Sequence, residues 1–153
     1  MASPLSLVSA CMGSAASLGL GLALGAPQHK VMVLDGDGSL LMNLGSLVTI
    51  GEIAPANLYH FVCQNGTYEA NGGHPTPNRD KVSFAGLARA AGYKSVYEFS
   101  DLANFEQQVG SILAEQGPVF IALKVEPTGE QKRDYERIHG PAVRQAFKDA
   151  LKA

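Results

Sequence analysis

No cluster of lysine or arginine precedes the C-terminal third of this sequence, and twelve basic residues against fourteen acidic ones leave a net charge of −2. The electrostatic footprint of a nucleic-acid binder is therefore missing. Cysteine is scarce as well. Cys11 and Cys63 lie on apolar runs, with no Cys-x-x-Cys and no cysteine–histidine pair at metal spacing. That pattern favours reduced core thiols in a cytoplasmic protein over a disulfide or a metal site. A membrane-spanning run is also lacking, because the apolar N-terminal stretch is interrupted at Ser14 and Ser17 and ends by Pro27. The first basic residue is Lys30, and glycines at 13, 19, 21 and 25 weaken any signal-type helix, so no signal peptide is expected. What is present is 46% hydrophobic residues over 153 positions, enough for one domain, 1–153, with a core of its own.

The order of the apolar segments predicts the architecture. A small-residue helix spans Ala15–Leu24, closed by Gly25 and Pro27, and Gly13, Ser17, Gly21 and Gly25 fall at spacing four along it. Such a stripe would let the helix lie close against a sheet. The continuous Val/Met/Leu run at Lys30–Asp35 reads as a buried parallel strand, and Leu40–Ile53 as one helix ended by Pro55. Asn57–Gln64 is the next strand, followed by a long polar loop from Asn65 to Asp80, a length that is usually functional in a compact domain. Then come a helix at Ser83–Ala91, a strand at Lys94–Tyr97, a helix at Asp101–Gln116 and a strand at Pro118–Val125. The charged residues 130–153, broken at Gly140-Pro141, form a C-terminal extension of two short helices. Alternating strands and helices predict a three-layer α/β sandwich with a mainly parallel sheet.

Chemistry concentrates at two turns of that sheet. Asp37 sits between Gly36 and Gly38 at a strand end, where turn and helix amides favour an anion such as phosphate while the carboxylate favours a hard cation. Asn65 follows 28 residues later, the length of one helix, one strand and their loops, so both turns emerge at the same carboxyl edge. A carboxylate, an amide oxygen and a backbone carbonyl leave room for phosphate oxygens and water around Mg²⁺. Taken singly, Gly-Asp-Gly and Asn-Gly are ordinary turns; the pair at this spacing is what points to a site.

Gly36-Asp37-Gly38-Ser39 followed by Asn65-Gly66-Thr67 resembles the signature of thiamine-diphosphate enzymes. Two longer segments, 12–21 and 38–47, are similar to the diphosphate-binding (PP) half of sulfopyruvate and phosphonopyruvate decarboxylases, and Gly72-Gly73-His74-Pro75-Thr76 echoes their loop. The resemblance covers roughly residues 8–128. It implies thiamine diphosphate and Mg²⁺ as cofactors, with Asp37, Asn65 and the Thr67 carbonyl on the metal. It also implies Gly13, Gly36, Gly38 and Ser39 at the diphosphate and Met12 under the thiazolium ring. Glu69, Asn71 and His74 lie on the covering loop; with Arg79, the lone Lys or Arg between Lys30 and Lys81, the substrate candidates are Glu69, His74 and Arg79.

Gln64 stands where the family writes asparagine or aspartate, and the strand and helix that normally precede Met12-Gly13-Ser14 are not found in the sequence. The glutamate that activates the cofactor in these enzymes belongs to a pyrimidine-binding (PYR) domain, so the resemblance implies a partner chain and a homo- or hetero-oligomer. The implied reaction is decarboxylation of a small anionic 2-oxoacid, in the cytoplasm, with the chain meeting its partner through an exposed apolar face that includes Met12 and the Gly-rich helix. Two alternatives stand beside this one. The first is another thiamine-diphosphate subunit, such as an acetolactate-synthase-like carboligase. The second is a haloacid-dehalogenase-type phosphohydrolase using Asp35 as nucleophile and Asp37 as acid/base, although its second acidic pair is missing after Val119–Leu123.

Overall fold

The computed structural model describes residues 7–8, 11–129, 134 and 138–151. The chain opens with helix α1 (Ala15–Gly25) and strand β1 (Val31–Gly36), followed by helices α2 (Asp37–Met42) and α3 (Ser46–Ile53). Strand β2 (Leu58–Gln64) leads into a small hairpin of β3 (Thr67–Tyr68) and β4 (His74–Pro75), joined by a 3₁₀ turn at Glu69–Asn71. Helix α4 (Phe84–Ala90), strand β5 (Ser95–Phe99), helix α5 (Leu102–Ile112) and strand β6 (Val119–Lys124) complete the body. Helix α6 (Pro141–Ala150) follows, while most of the first half of the expected C-terminal extension lies outside the described residues.

The main sheet has the order β1-β2-β6-β5 with every pairing parallel. Alternation along the central strands splits the core into two layers. Leu58 and Val62 of β2 and Phe120 and Ala122 of β6 pack with α1, α3 and α4, whereas Tyr59, Phe61, Val119 and Ile121 pack with α5. This is the α/β arrangement read from the sequence, and the register Gly36↔Cys63 brings the carboxyl ends of β1 and β2 side by side. Ser83 caps α4 by accepting from the Gly86 amide at 3.0 Å, and Asp101 caps α5 by accepting from the Asn104 amide at 2.9 Å.

Four local expectations are corrected. The single helix over 40–53 is two, because Asn43 leaves helical geometry (φ −145°) and its side chain bonds elsewhere in the fold. The small-residue stripe that faces the sheet is Ala16, Gly19 and Ala23, not the spacing-four set. A helix turns once per 3.6 residues, so steps of four drift off the contact line, and Gly21 and Gly25 end in solvent. Cys11 is exposed rather than in the core, and Cys63 is only half-buried. The loop 65–80 is folded, with Thr67 pairing Pro75 and Tyr68 pairing His74.

Two glycines mark where helices approach most closely. A Cβ on Gly19 would lie 2.1 Å from Val33 Cγ2, and one on Gly51 only 1.8 Å from the carbonyl oxygen of Ala91. A side-chain methyl can shift; a backbone carbonyl held by its own helix end cannot. Gly51→Ala is therefore expected to destabilise by about 3 kcal/mol, the upper end of overpacking costs. Gly21→Ala, with nothing within 4 Å of the added methyl, should stabilise by about 0.5–1 kcal/mol through helix propensity. Urea unfolding of the two variants against the native chain checks both signs.

Candidate functional site

Asp37 is the first residue of α2 and is 1% exposed. Its two carboxylate oxygens face two chain-distant turns: Oδ1 accepts from the Gly38 amide at 2.8 Å and Oδ2 from the Gly66 amide at 2.8 Å. Burial raises its pKa, and the amides of Gly66, Gly38, Asp37 itself and Asn65 oppose the rise without cancelling it. Among the described residues no basic side chain pairs with it. The site thus holds a buried acid whose charge is met only by dipoles.

Asn65, just beyond β2, turns its amide oxygen onto the Thr67 amide at 2.9 Å and the Thr67 hydroxyl at 3.1 Å. The hairpin it starts lies directly on α2. A Cβ on Gly38 would stand 2.6 Å from the Tyr68 ring and 3.3 Å from the Thr67 carbonyl oxygen. Gly38 is glycine because a backbone carbonyl and a ring share its space.

The N-terminal segment joins the same edge. The Gly13 amide donates to Ser39 Oγ at 3.0 Å, and the Gly13 carbonyl accepts from Asn43 Nδ2 at 3.0 Å. Gly13 holds φ at +82°, a left-handed conformation costly for a side-chain-bearing residue. Met12 is half-buried, and its sulfur accepts from Asn71 Nδ2 at 3.4 Å. Met12, Gly13, Gly36, Asp37, Gly38, Ser39, Asn65 and Thr67 therefore converge at the carboxyl ends of β1 and β2.

Of the substrate candidates, Arg79 shares a cleft with Asn65, Gly66 and Thr67, whereas Glu69 and His74 do not line it. Both oxygens of Glu69 are used inside the protein. One accepts from Asn65 Nδ2 at 2.9 Å, and the other from the Thr128 hydroxyl at 3.0 Å, the Gly129 amide at 2.7 Å and the Thr128 amide. Glu69 is a clasp between the hairpin and the segment after β6. His74 is exposed on β4, and Arg79 is exposed with an ion pair to Asp80 at 3.6 Å. Arg79 lies on the rim of a cleft of about 620 Å³ that also takes in Asn65, Thr67, Lys81 and Lys124.

Asp35 is buried and turned away from Asp37, facing His60 Nε2 at 3.6 Å. A nucleophile must reach its substrate, so this placement removes the phosphohydrolase alternative. Cys63 is no nucleophile either, since burial and the neighbouring Asp37 and Asp35 carboxylates push its thiol up. Among the described residues no group of three or more His, Cys, Asp or Glu could hold a metal ion. A cation here would be held by one carboxylate with amide and carbonyl oxygens.

Two features escaped the sequence reading. Asn43 pins Gly13; the Asn43-Leu44-Gly45 run was a legible helix stop that the surrounding leucines masked. The buried His60, with Tyr93 at its ring, carried no local signal beyond a histidine inside an apolar strand.

A family model described as thiamine pyrophosphate enzyme, C-terminal TPP binding domain, matches residues 2–123. Phosphonopyruvate decarboxylase of Streptomyces viridochromogenes is 43% identical over 116 residues, covering 76% of this chain and 29% of that protein. Sulfopyruvate decarboxylase subunit beta is 44% identical in Methanothermobacter thermautotrophicus, covering 76% and 59% of the two chains. In Methanocaldococcus jannaschii it is 36% identical over 141 residues, covering 92% and 73%. The chain thus spans less than a third of the Streptomyces relative and over half of the first archaeal one. Among solved structures, the Rhodococcus jostii thiamine diphosphate-dependent 4-hydroxybenzoylformate decarboxylase superposes with a TM-score of 0.63 at 23% identity, covering 78% of this chain and 24% of that one. That likeness shows the fold.

The Glu69 clasp has a pH signature. Burial works against its charge, yet the Thr128 hydroxyl and the Gly129, Thr128 and Asn65 donors outweigh it and hold the pKa below the ordinary 4.5. A depressed carboxylate contributes above its unfolded pKa and is lost only as pH falls through the lower folded value. Amide exchange at Thr128 and Gly129, corrected for intrinsic rates, should stay slow at pH 5 and accelerate several-fold only below 4.5. Glu69→Gln should be fast at both; equal protection in the variant at pH 5 would remove the clasp.

Proposed function

Because the chain belongs to the thiamine pyrophosphate enzyme family, we propose that it is the subunit holding the cofactor diphosphate and Mg²⁺ in a 2-oxoacid decarboxylase. The observation that carries this reading is the Asp37 carboxylate, whose two oxygens tie the Gly38 and Gly66 turns together at one edge.

The residues fit the group. Asp37, the Asn65 amide oxygen and the Thr67 carbonyl form a hard oxygen set of the kind Mg²⁺ takes, with positions left for phosphate oxygens and water. A cation there compensates the buried charge that raises the Asp37 pKa. Gly13, Gly36, Gly38 and Ser39 would hold the diphosphate through backbone and hydroxyl groups, and Met12 would lie under the thiazolium. Thiamine diphosphate, when bound, supplies the electron sink that decarboxylation of a 2-oxoacid needs. The hairpin closes over this edge, and the Glu69 clasp holds it against the segment after β6, limiting water.

The substrate is a small anionic 2-oxoacid. The relatives named for phosphonopyruvate and sulfopyruvate support it, and Arg79 is a cationic group that shares the cleft with Asn65 and Thr67, with His74 exposed on the adjoining hairpin. A pyrimidine-binding partner supplies the activating glutamate and completes the site, in a homo- or hetero-oligomer. Support comes from exposed apolar side chains: Leu18 and Leu24 on α1, Met32 and Leu34 on β1, and Met42 and Val48 beside α2 and α3. Residues 1–153 act as one PP-type domain with 130–153 as an extension. Among the described residues no helix is long and apolar enough to cross a membrane, and we place the protein in the cytoplasm.

Calorimetric titration of thiamine diphosphate with Mg²⁺ tests the reading. Binding should vanish with EDTA and weaken by more than about 100-fold in Asp37→Ala, a larger loss than the 10–100-fold typical when a ligand's supporting group is removed. Release of CO₂ from sulfopyruvate or phosphonopyruvate should require the co-expressed partner. Metal-independent binding of equal strength in Asp37→Ala would sink the assignment.

A further inference from the structure

His60 lies at the centre of β2 and is 0% exposed, on the sheet face it shares with Leu58 and Val62. An imidazole in that position costs desolvation unless its nitrogens are met. Nδ1 is 3.0 Å from the Tyr93 hydroxyl, and the ring stands edge-on to Phe120 at 5.2 Å. Nε2 has no hydrogen-bond partner, and faces Asp35 Oδ2 at 3.6 Å. A lone pair aimed at a carboxylate is repulsive, so the proton is assigned to Nε2 and the Tyr93 hydroxyl donates to Nδ1. One hydroxyl therefore sets the tautomer, and the tautomer sets what Asp35 meets.

Asp35 passes the constraint on. Its other oxygen accepts from the Gly36 amide at 2.9 Å, in the Asp35–Gly36 peptide one residue before Asp37. Tyr93 beyond α4, His60 on β2 and Asp35 on β1 thus form a buried polar line ending at the Gly36 turn.

We infer that His60 is a positioning residue: its Nε2–H holds the Asp35 carboxylate, which fixes the Asp35-Gly36-Asp37 turn and with it the direction of the Asp37 carboxylate. The effect on metal affinity rests on the reading of Asp37 given above; the effect on the turn does not.

Glutamine places an amide nitrogen at about the reach of imidazole Nε2, and asparagine at about the reach of Nδ1, so the two substitutions divide the ring's contacts. In the unliganded chain, His60→Asn should raise amide exchange at Gly36 by roughly tenfold while His60→Gln stays near native, at similar thermal midpoints. The same pair should differ about tenfold in Mg²⁺-dependent thiamine diphosphate affinity, the usual scale for a group one contact removed from a metal ligand. Equal exchange in both variants, changed or unchanged, overturns the role. If His60→Asn does not fold, Tyr93→Phe decides. Removal of one hydroxyl should speed Gly36 exchange, and an unchanged amide rejects the line. If the native chain takes up no cofactor while the exchange pattern holds, the functional reading fails and the positioning role stands.

Discussion

The Asp37 carboxylate is the constraint on which the site depends. A buried carboxylate costs several kcal/mol unless donors or a cation meet it. Here the donors come from the Gly38 and Gly66 amides, one on each of two adjacent parallel strand ends. The register Gly36↔Cys63 makes this possible, since it delivers both turns to the same level of the sheet. Dipoles alone leave the acid above its ordinary pKa, because burial outweighs the backbone donors.

Much of this was legible because it is written in local chemistry. Continuous apolar runs marked the buried strands, and Gly-Asp-Gly and Asn65-Gly66 marked turns that only a parallel order could bring together. What stayed hidden depends on partners far along the chain. The helix over 40–53 breaks because Asn43 bonds to Gly13, 30 residues away, and Glu69 turns from the cleft because Thr128 and Gly129 claim it, 59 and 60 residues away. No window of sequence contains both ends of such a bond. The stripe on α1 failed for a different reason. Counting glycines overlooked that alanine is nearly as small, and Ala16 and Ala23 flank Gly19 on the true contact line.

The two faces of the sheet are unequally covered. Helices α1, α3 and α4 lie across one, while on the other α5 packs with β2, β6 and β5 and leaves β1 open. Met32 and Leu34 on β1 are left 53% and 76% exposed beside an open strand edge, with no charge on that face of the strand to blunt it. The same strand carries Val33, Asp35 and the Gly36 turn on its inner side. The strand that positions the site is thus also the strand left most open on its outer face.

The bonds that assemble the site also follow one another along the sequence, with widening spans. Gly13 to Ser39 closes a span of 26 residues, Asp37 to Gly66 one of 29, and Glu69 to Thr128 one of 59. Closing a longer loop costs more chain entropy, though only logarithmically. The two shorter links share α2 and can form while β1 and β2 zip together. The Glu69 link waits for β5, α5 and β6 to dock, because its acceptor must reach residues that follow the last strand. A nascent or refolding chain therefore gathers the Gly13, Asp37 and Gly66 turns early and fastens the hairpin to the segment after β6 last.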